Sequence, residues 1–170
     1  MLRETERRPF GVLTALSRRP DARAEISGSP EHPEIHGVVR FFQTGEGVLV
    51  AVDVRGLPQK MEKCSQPFFG FHIHSGGACH GNETDPFADA HGHYNPDDCP
   101  HPAHRGDLPP LLGNQGRALQ VFLTDRFRVR EVIGKTVIVH SGPDDFTSQP
   151  AGNSGTKIAC GEIRPVSIRM

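Results

Sequence analysis

Tryptophan is missing from the sequence and tyrosine occurs once, as Tyr94, so aromatic bulk has to come from ten phenylalanines. No apolar run approaches the roughly 18 residues of a membrane-spanning helix, which excludes a chain built on such helices and gives no membrane partner. Lysine is scarce, four against fifteen arginines, and acids and bases nearly cancel to a net charge of −1. Without a basic excess there is no electrostatic footprint for nucleic acid or for an anionic membrane surface. A secretory leader is also missing from the sequence as it stands. Residues 10–16 form only a short apolar stretch, and it runs into Ser17-Arg18-Arg19-Pro20 instead of small residues. That places the chain in the cytoplasm by default; export by another route, or from a longer precursor, stays open.

What is abundant is Gly 19, Pro 15 and His 10 in 170 residues, a length that suits one domain with a proper core. Glycine and proline at this level mean many turns, and the Val, Phe and Ile content means strands, so the chain reads as all-β with long loops. Residues 1–21 are a polar, Arg-rich lead-in expected to be a flexible tail, and residues 22–170 form the folded domain. Short β-like runs follow at 22–26, 35–42 and 48–54, an antiparallel meander by their spacing. Phe68-Phe69-Gly70-Phe71-His72-Ile73-His74 is the fourth strand. From 75 to 114 apolar periodicity all but vanishes, and a loop of that length is normally functional or disordered. Strands resume at 118–123, 136–140 and 157–163, and residues 128–133 read as one helical turn or an edge strand.

Seven of the ten histidines lie between His72 and His104. In His72-Ile73-His74 the two imidazoles leave the same face of a strand, because side chains alternate with period two. Alone, this pattern fits two exposed or hydrogen-bonded histidines equally well. His140, at the end of another strand, can join them if the strands are neighbours. A second group, His93, His101, His104 and Asp107, sits in a Pro- and Gly-rich loop, and three imidazoles with a carboxylate make a natural tetrahedral zinc set. Imidazole also suits copper, which tolerates square-planar nitrogen ligation and has two oxidation states. The sequence therefore predicts a paired transition-metal site of six histidines and one aspartate.

Five motifs, in order, carry a resemblance. Gly70-Phe71-His72-Ile73-His74, His93-Tyr94-Asn95-Pro96, His104-Arg105-Gly106-Asp107-Leu108-Pro109, Val139-His140, and Gly152-Asn153-Ser154-Gly155-Thr156-Lys157-Ile158-Ala159-Cys160-Gly161 resemble the copper/zinc superoxide dismutases, in particular their bacterial members. The likeness runs from about Ala22 to Val166. It implies an eight-stranded antiparallel Greek-key β-barrel or sandwich, with metal loops at 75–114 and 141–156. It also implies one copper on His72, His74, His93 and His140, and one zinc on His93, His101, His104 and Asp107, His93 being the bridge. Asp144 would accept hydrogen bonds from His72 and His101 behind the metals, against the alternative of a plain turn aspartate. Cys79 and Cys160 stand where the family has its disulfide.

The activity implied is disproportionation of superoxide to oxygen and hydrogen peroxide, by redox cycling of copper bridged to zinc through a histidine. His93 would deliver a proton, and Lys157 would draw the anion in. Lys157 is a departure, because most active members have arginine there, and lysine keeps the charge but loses the planar fork of donors. A second departure is the short spacing of His101 and His104. Cys64 and Cys99 have no counterpart in the pattern: they can pair, stay free, or, for Cys99, assist zinc. His80 and His91 are also extra and are read as exposed. The competing readings are a non-catalytic copper- and zinc-handling relative of the same fold and a zinc-only module, which would show gaps at His72, His74 or His140. A homodimer and a monomer are equally compatible with the sequence.

Overall fold

Alternation decides the first strands. In β1 (Ala22–Gly28), Ala22, Ala24 and Ile26 are buried while Arg23 and Glu25 face solvent, the signature of a sheet with one face on a core. The computed structural model describes residues 11–59, 64 and 67–167. β2 (His36–Gln43) and β3 (Val48–Arg55) follow as a hairpin, in register from His36 opposite Arg55 to Gln43 opposite Val48. The expected meander is present.

The fourth expected strand is built as two pieces. β4 (Phe68–Phe69) pairs with the short β6 (Leu111–Leu112), and β5 (Phe71–His74) pairs with β8 (Thr136–His140). Gly70 separates them. A Cβ there would lie 2.7 Å from the Ser154 side chain and 3.2 Å from the His140 Cβ, so only glycine lets the 141–156 loop approach the strand this closely. β7 (Arg117–Thr124) pairs with β3, and β9 (Lys157–Pro165) lies between β8 and β1. The main sheet runs β5-β8-β9-β1-β2-β3-β7, all antiparallel, with β4-β6 as a separate pair. Taking 68–74 as one bent strand gives the eight strands of the expected Greek-key barrel. The fold is all-β.

The core inside this curled sheet is made by Val39, Phe41, Val52, Phe71, Ile73 and Val139, each at most 1% exposed. Burying side chains of this size stabilises the fold by about 1.5–3 kcal/mol each. A second cluster, Phe87, Ala90, Ile138 and Cys160, lies beneath the loop that follows β5. Residues 129–132 resolve to a helical turn, α2 (Val129–Val132), with Val129 and Val132 buried.

The lead-in departs from expectation where it is described. α1 (Val12–Ser17) buries Ala15 against Phe42 and Leu49, so this part of the presumed flexible tail is folded onto the outside of β2 and β3. Residues 1–10 lie outside the described residues. Among the described residues no helix is long and apolar enough to cross a membrane.

Candidate metal centre

β5 organises the centre because both of its edges are occupied. One edge pairs with β8, Phe71 opposite Val139 and His74 opposite Thr136. The other edge receives two loop segments: the Tyr94 amide donates to the Ile73 carbonyl (2.8 Å), and the Ile73 amide to the Gly106 carbonyl (2.9 Å). His93 is thereby set opposite His74 and Asp107 opposite His72, as isolated antiparallel bridges. Phe71 and Ile73 point into the core, so His72 and His74 emerge together on the other face. His140 closes β8 at a register irregularity between Val139 and His140, the kind of local break that re-aims a side chain.

Two donor clusters result. One ligand atom from each of His72, His74, His93 and His140 lies within 4.8 Å of the others, and the same holds for His93, His101, His104 and Asp107. His93 belongs to both. Its Nδ1 is 2.7 Å from Asp107 Oδ1 and 3.4 Å from His104 Nδ1, while its buried Nε2 has no partner. The i, i+3 spacing of His101 and His104 is no obstacle: their Nδ1 atoms lie 3.1 and 3.2 Å from the two Asp107 oxygens.

For four of the rings, the surroundings fix which nitrogen faces inward. His74 Nδ1–H donates to the His91 carbonyl (2.7 Å) and His140 Nδ1–H to the Gly155 carbonyl (3.3 Å). His72 Nε2–H and His101 Nε2–H donate to the two oxygens of Asp144, at 2.8 and 2.9 Å. A ring nitrogen held as donor on the outside leaves a lone pair on the inside. His74 Nε2 and His140 Nε2 accordingly face each other at 3.3 Å. His72 Nδ1, His93 Nε2 and His101 Nδ1 are buried without a hydrogen-bond partner. Each such atom left alone would cost about 1–3 kcal/mol, and three of them converging on two points fit bound cations.

Charge supports the same reading. Burial drives the His72 pKa down to about 2 and His140 to about 4, and carries His74 well below the usual range, the neighbouring rings adding to each effect. These imidazoles are neutral at pH 7, the form that binds metal. Burial pushes the Asp107 carboxyl up, but the His93 hydrogen bond and nearby histidines outweigh it and leave it lowered. It is the one carboxylate of the two clusters.

Asp144 is almost wholly buried, and the turn that carries it leans on a second close approach. At Gly152 (φ +67°) a Cβ would fall 2.0 Å from Asp144 Oδ1 and 2.7 Å from His101 Nε2. Asp145, its neighbour, caps the turn instead, accepting from the amides of Thr147 and Ser148. Cys79 and Cys160 form a disulfide with Cα atoms 5.7 Å apart. Cys64 and Cys99 are free; they do not pair, and Cys99 stands outside the zinc-type cluster. The side chains of His80 and His91 are exposed.

His74, His93 and His140 open onto a pocket of about 560 Å³ that Lys157 also lines. Lys157 is not free there: its Nζ donates to Asp85 Oδ2 (2.6 Å) and to the Phe87 carbonyl (3.0 Å). Sequence reasoning missed Asp85. It also missed Gln149, which brackets a zinc-type donor, accepting from the His101 amide (2.9 Å) and donating to the His101 carbonyl (2.7 Å). Arg126 escaped it too; its guanidinium donates to the Pro102 and His104 carbonyls, both at 2.9 Å. Contacts between loops leave no periodic signal that could have found them.

Comparison with known proteins gives the same direction. The family model described as copper/zinc superoxide dismutase (SODC) matches residues 35–163. "Superoxide dismutase [Cu-Zn] 2" of Aquifex aeolicus is 33% identical over 168 residues, covering 90% of this chain and 93% of that protein. The human "Copper chaperone for superoxide dismutase" is 32% identical over 156 residues, 84% of this chain but only 52% of that protein. Among solved structures, the Cu/Zn superoxide dismutase from Brucella abortus superimposes with a TM-score of 0.69 at 24% identity, covering 83% of this chain and 98% of that one.

Proposed function

Because this chain belongs to the copper/zinc superoxide dismutase family, we propose that His72, His74, His93 and His140 hold its copper and that His93, His101, His104 and Asp107 hold its zinc. The protein is an oxidoreductase that uses copper and zinc to disproportionate superoxide to oxygen and hydrogen peroxide. The observation that carries the residue assignment is His93, whose two ring nitrogens face two different clusters.

Bound copper supplies one-electron redox chemistry, and zinc a fixed positive charge. The chain supplies the rest. His93 Nε2 faces the copper-side rings and is the atom at which a proton is held between the two half-reactions and then given to the reduced substrate. His93 Nδ1, turned to Asp107 and His104, keeps the ring from rotating away. Asp144 locks His72 and His101 from behind, so both clusters keep their donors aimed inward. Superoxide enters through the pocket that His74, His93 and His140 share with Lys157, whose ammonium is the one lysine or arginine charge at its wall.

The chain's outer surface supports a homodimer over a monomer. On β7, Leu119, Val121 and Leu123 face outward and are 64%, 44% and 43% exposed, a contiguous apolar stripe of the kind that marks an interface. The Cys79–Cys160 disulfide supports an extracytoplasmic location, since such bonds persist in oxidising compartments. The deciding experiment is metal analysis of reconstituted protein beside a superoxide-consumption assay. About one copper and one zinc per chain with superoxide turnover is the expected result. Full copper loading without turnover would instead make the chain a metal-handling relative.

A further inference from the structure

The segment from Cys79 to Ala90 is tied to β9 at two places three residues apart on that strand. One tie is the disulfide to Cys160 and the other is the ion pair from Asp85 to Lys157. Asp85 is built into position. The Asn82 side chain accepts from the amides of Thr84 and Asp85, both at 3.0 Å, and the Asn82 amide donates to the Asp85 carbonyl. Asp85 Oδ1 accepts the Phe87 amide (3.0 Å), which leaves Oδ2 aimed at Lys157 Nζ (2.6 Å). Both residues line the pocket onto which His74, His93 and His140 open. Of the residues lining it, Lys157 is the one lysine or arginine and Asp85 the one carboxylate. The Lys157 side chain is 16% exposed and that of Asp85 39%, so the acid is the more open of the two.

We propose that Asp85 is a positioning and charge-setting residue for anion entry: it holds the Lys157 ammonium and cancels its charge at the mouth of the pocket, so the wild-type entrance is close to neutral. This rests on the reading that the pocket admits superoxide. The chemistry follows from Coulomb's law. An ammonium with a carboxylate at contact distance presents a dipole, whose attraction for a distant anion falls off far faster than that of a charge. The ammonium also spends two donors on Asp85 and Phe87. Burial pushes the Asp85 carboxyl up, yet the hydrogen bonds from Lys157 and Phe87 hold it below the usual range, so it is ionised at neutral pH.

The test uses the copper- and zinc-loaded protein and azide, a small monovalent anion, as equilibrium probe. Asp85→Asn keeps the side-chain shape and an acceptor for the Phe87 amide. It should tighten azide binding about 3-fold at low ionic strength and steepen the fall of superoxide turnover with added salt. Lys157→Ala should weaken azide binding by a similar factor. The double variant removes equal and opposite charges and should return azide affinity to near the wild-type value. A purely structural role for the pair predicts the reverse, the double variant being no better than the worse single one. Unchanged azide affinity and salt dependence in Asp85→Asn, or failure of the double variant to recover, overturns the proposal. Wild-type protein that binds azide but consumes no superoxide would defeat the functional reading instead, without touching the charge argument.

Discussion

Asp144→Asn replaces one atom in a buried carboxylate and should nevertheless separate the two metals in affinity. Asp144 Oδ1 accepts from His101 Nε2–H (2.9 Å) and from the Phe146 amide (2.8 Å), whereas Oδ2 accepts from His72 Nε2–H alone (2.8 Å). An asparagine offers one acceptor oxygen and one donor NH2. The oxygen will take the Oδ1 place, where two donors meet it, and the NH2 is left facing His72. Two donors then confront each other, 2.8 Å apart, in a site where the Asp144 and His72 side chains are 1% and 0% exposed. Relief comes if His72 moves its proton to Nδ1, the nitrogen that faces the copper-side cluster, and that blocks it as a ligand. Loss of such an outer partner typically costs about 10- to 100-fold in metal affinity, or roughly 1.4–2.7 kcal/mol. The loss should fall on copper, with zinc changed much less because His101 keeps its acceptor. Competition titrations of both metals against a chelator would measure this, with near-ultraviolet circular dichroism to confirm the fold. Copper affinity within twofold of wild type, or an equal fall in both metals, would refute the orientation argument.

Other perturbations test neighbouring parts of the centre. His93→Ala should reduce copper and zinc content together, whereas His104→Ala should remove chiefly zinc, as elemental analysis would show. Gln149→Ala removes both hydrogen bonds to the His101 backbone; zinc release into a chelator should quicken, with the copper spectrum little altered. Cys160→Ser opens a cross-link spanning 81 residues, and chain entropy puts the loss near 4 kcal/mol, readable from denaturant unfolding of the metal-free proteins. Stripping the metals from the wild-type protein should lower its unfolding temperature, because ions bound only by the folded state stabilise it.

What could be read from the sequence was what repeats at short range or stands in a fixed motif. His72 and His74 were legible because a strand places alternate residues on one face, and the core residues Phe71 and Ile73 between and beside them obey the same rule. The loop donors His101, His104 and Asp107 were legible only as a motif, since no period links them to β5. The division of 68–74 into β4 and β5 was not foreseen, because Gly70 reads as an ordinary strand glycine until Ser154 is seen packed where its Cβ would be. β6 is two residues long, too short for alternation to register. α1 lacks a long apolar face and is placed by its contact with Phe42 and Leu49. Asp85, Gln149 and Arg126 act across 72, 48 and 22 residues of sequence, and at such separations only the folded loops decide who meets whom.

The two halves of the molecule are held by different forces, and the site depends on the difference. The barrel interior is packed aliphatic and aromatic surface. The loops at 75–114 and 141–156 have less of that: Leu108 and Leu111 reach the main core and the satellite cluster of Phe87, Ala90, Ile138 and Cys160 is small, while much of the remainder is polar. Their backbone is fixed by Asn82 and Asp145 capping turns, by Gln149 and Arg126 bracketing carbonyls, by the disulfide, and by Asp144 beneath both clusters. Every one of these ties is directional, so each fixes an angle as well as a distance. A hydrophobic contact would hold the loops equally close but let the rings turn. Five imidazoles that must each present one chosen nitrogen, and His93 that must present both, need the directional kind. That is why the long loops are rich in polar side chains and turn residues, while β5 and β8 contribute His72, His74 and His140 from the barrel itself.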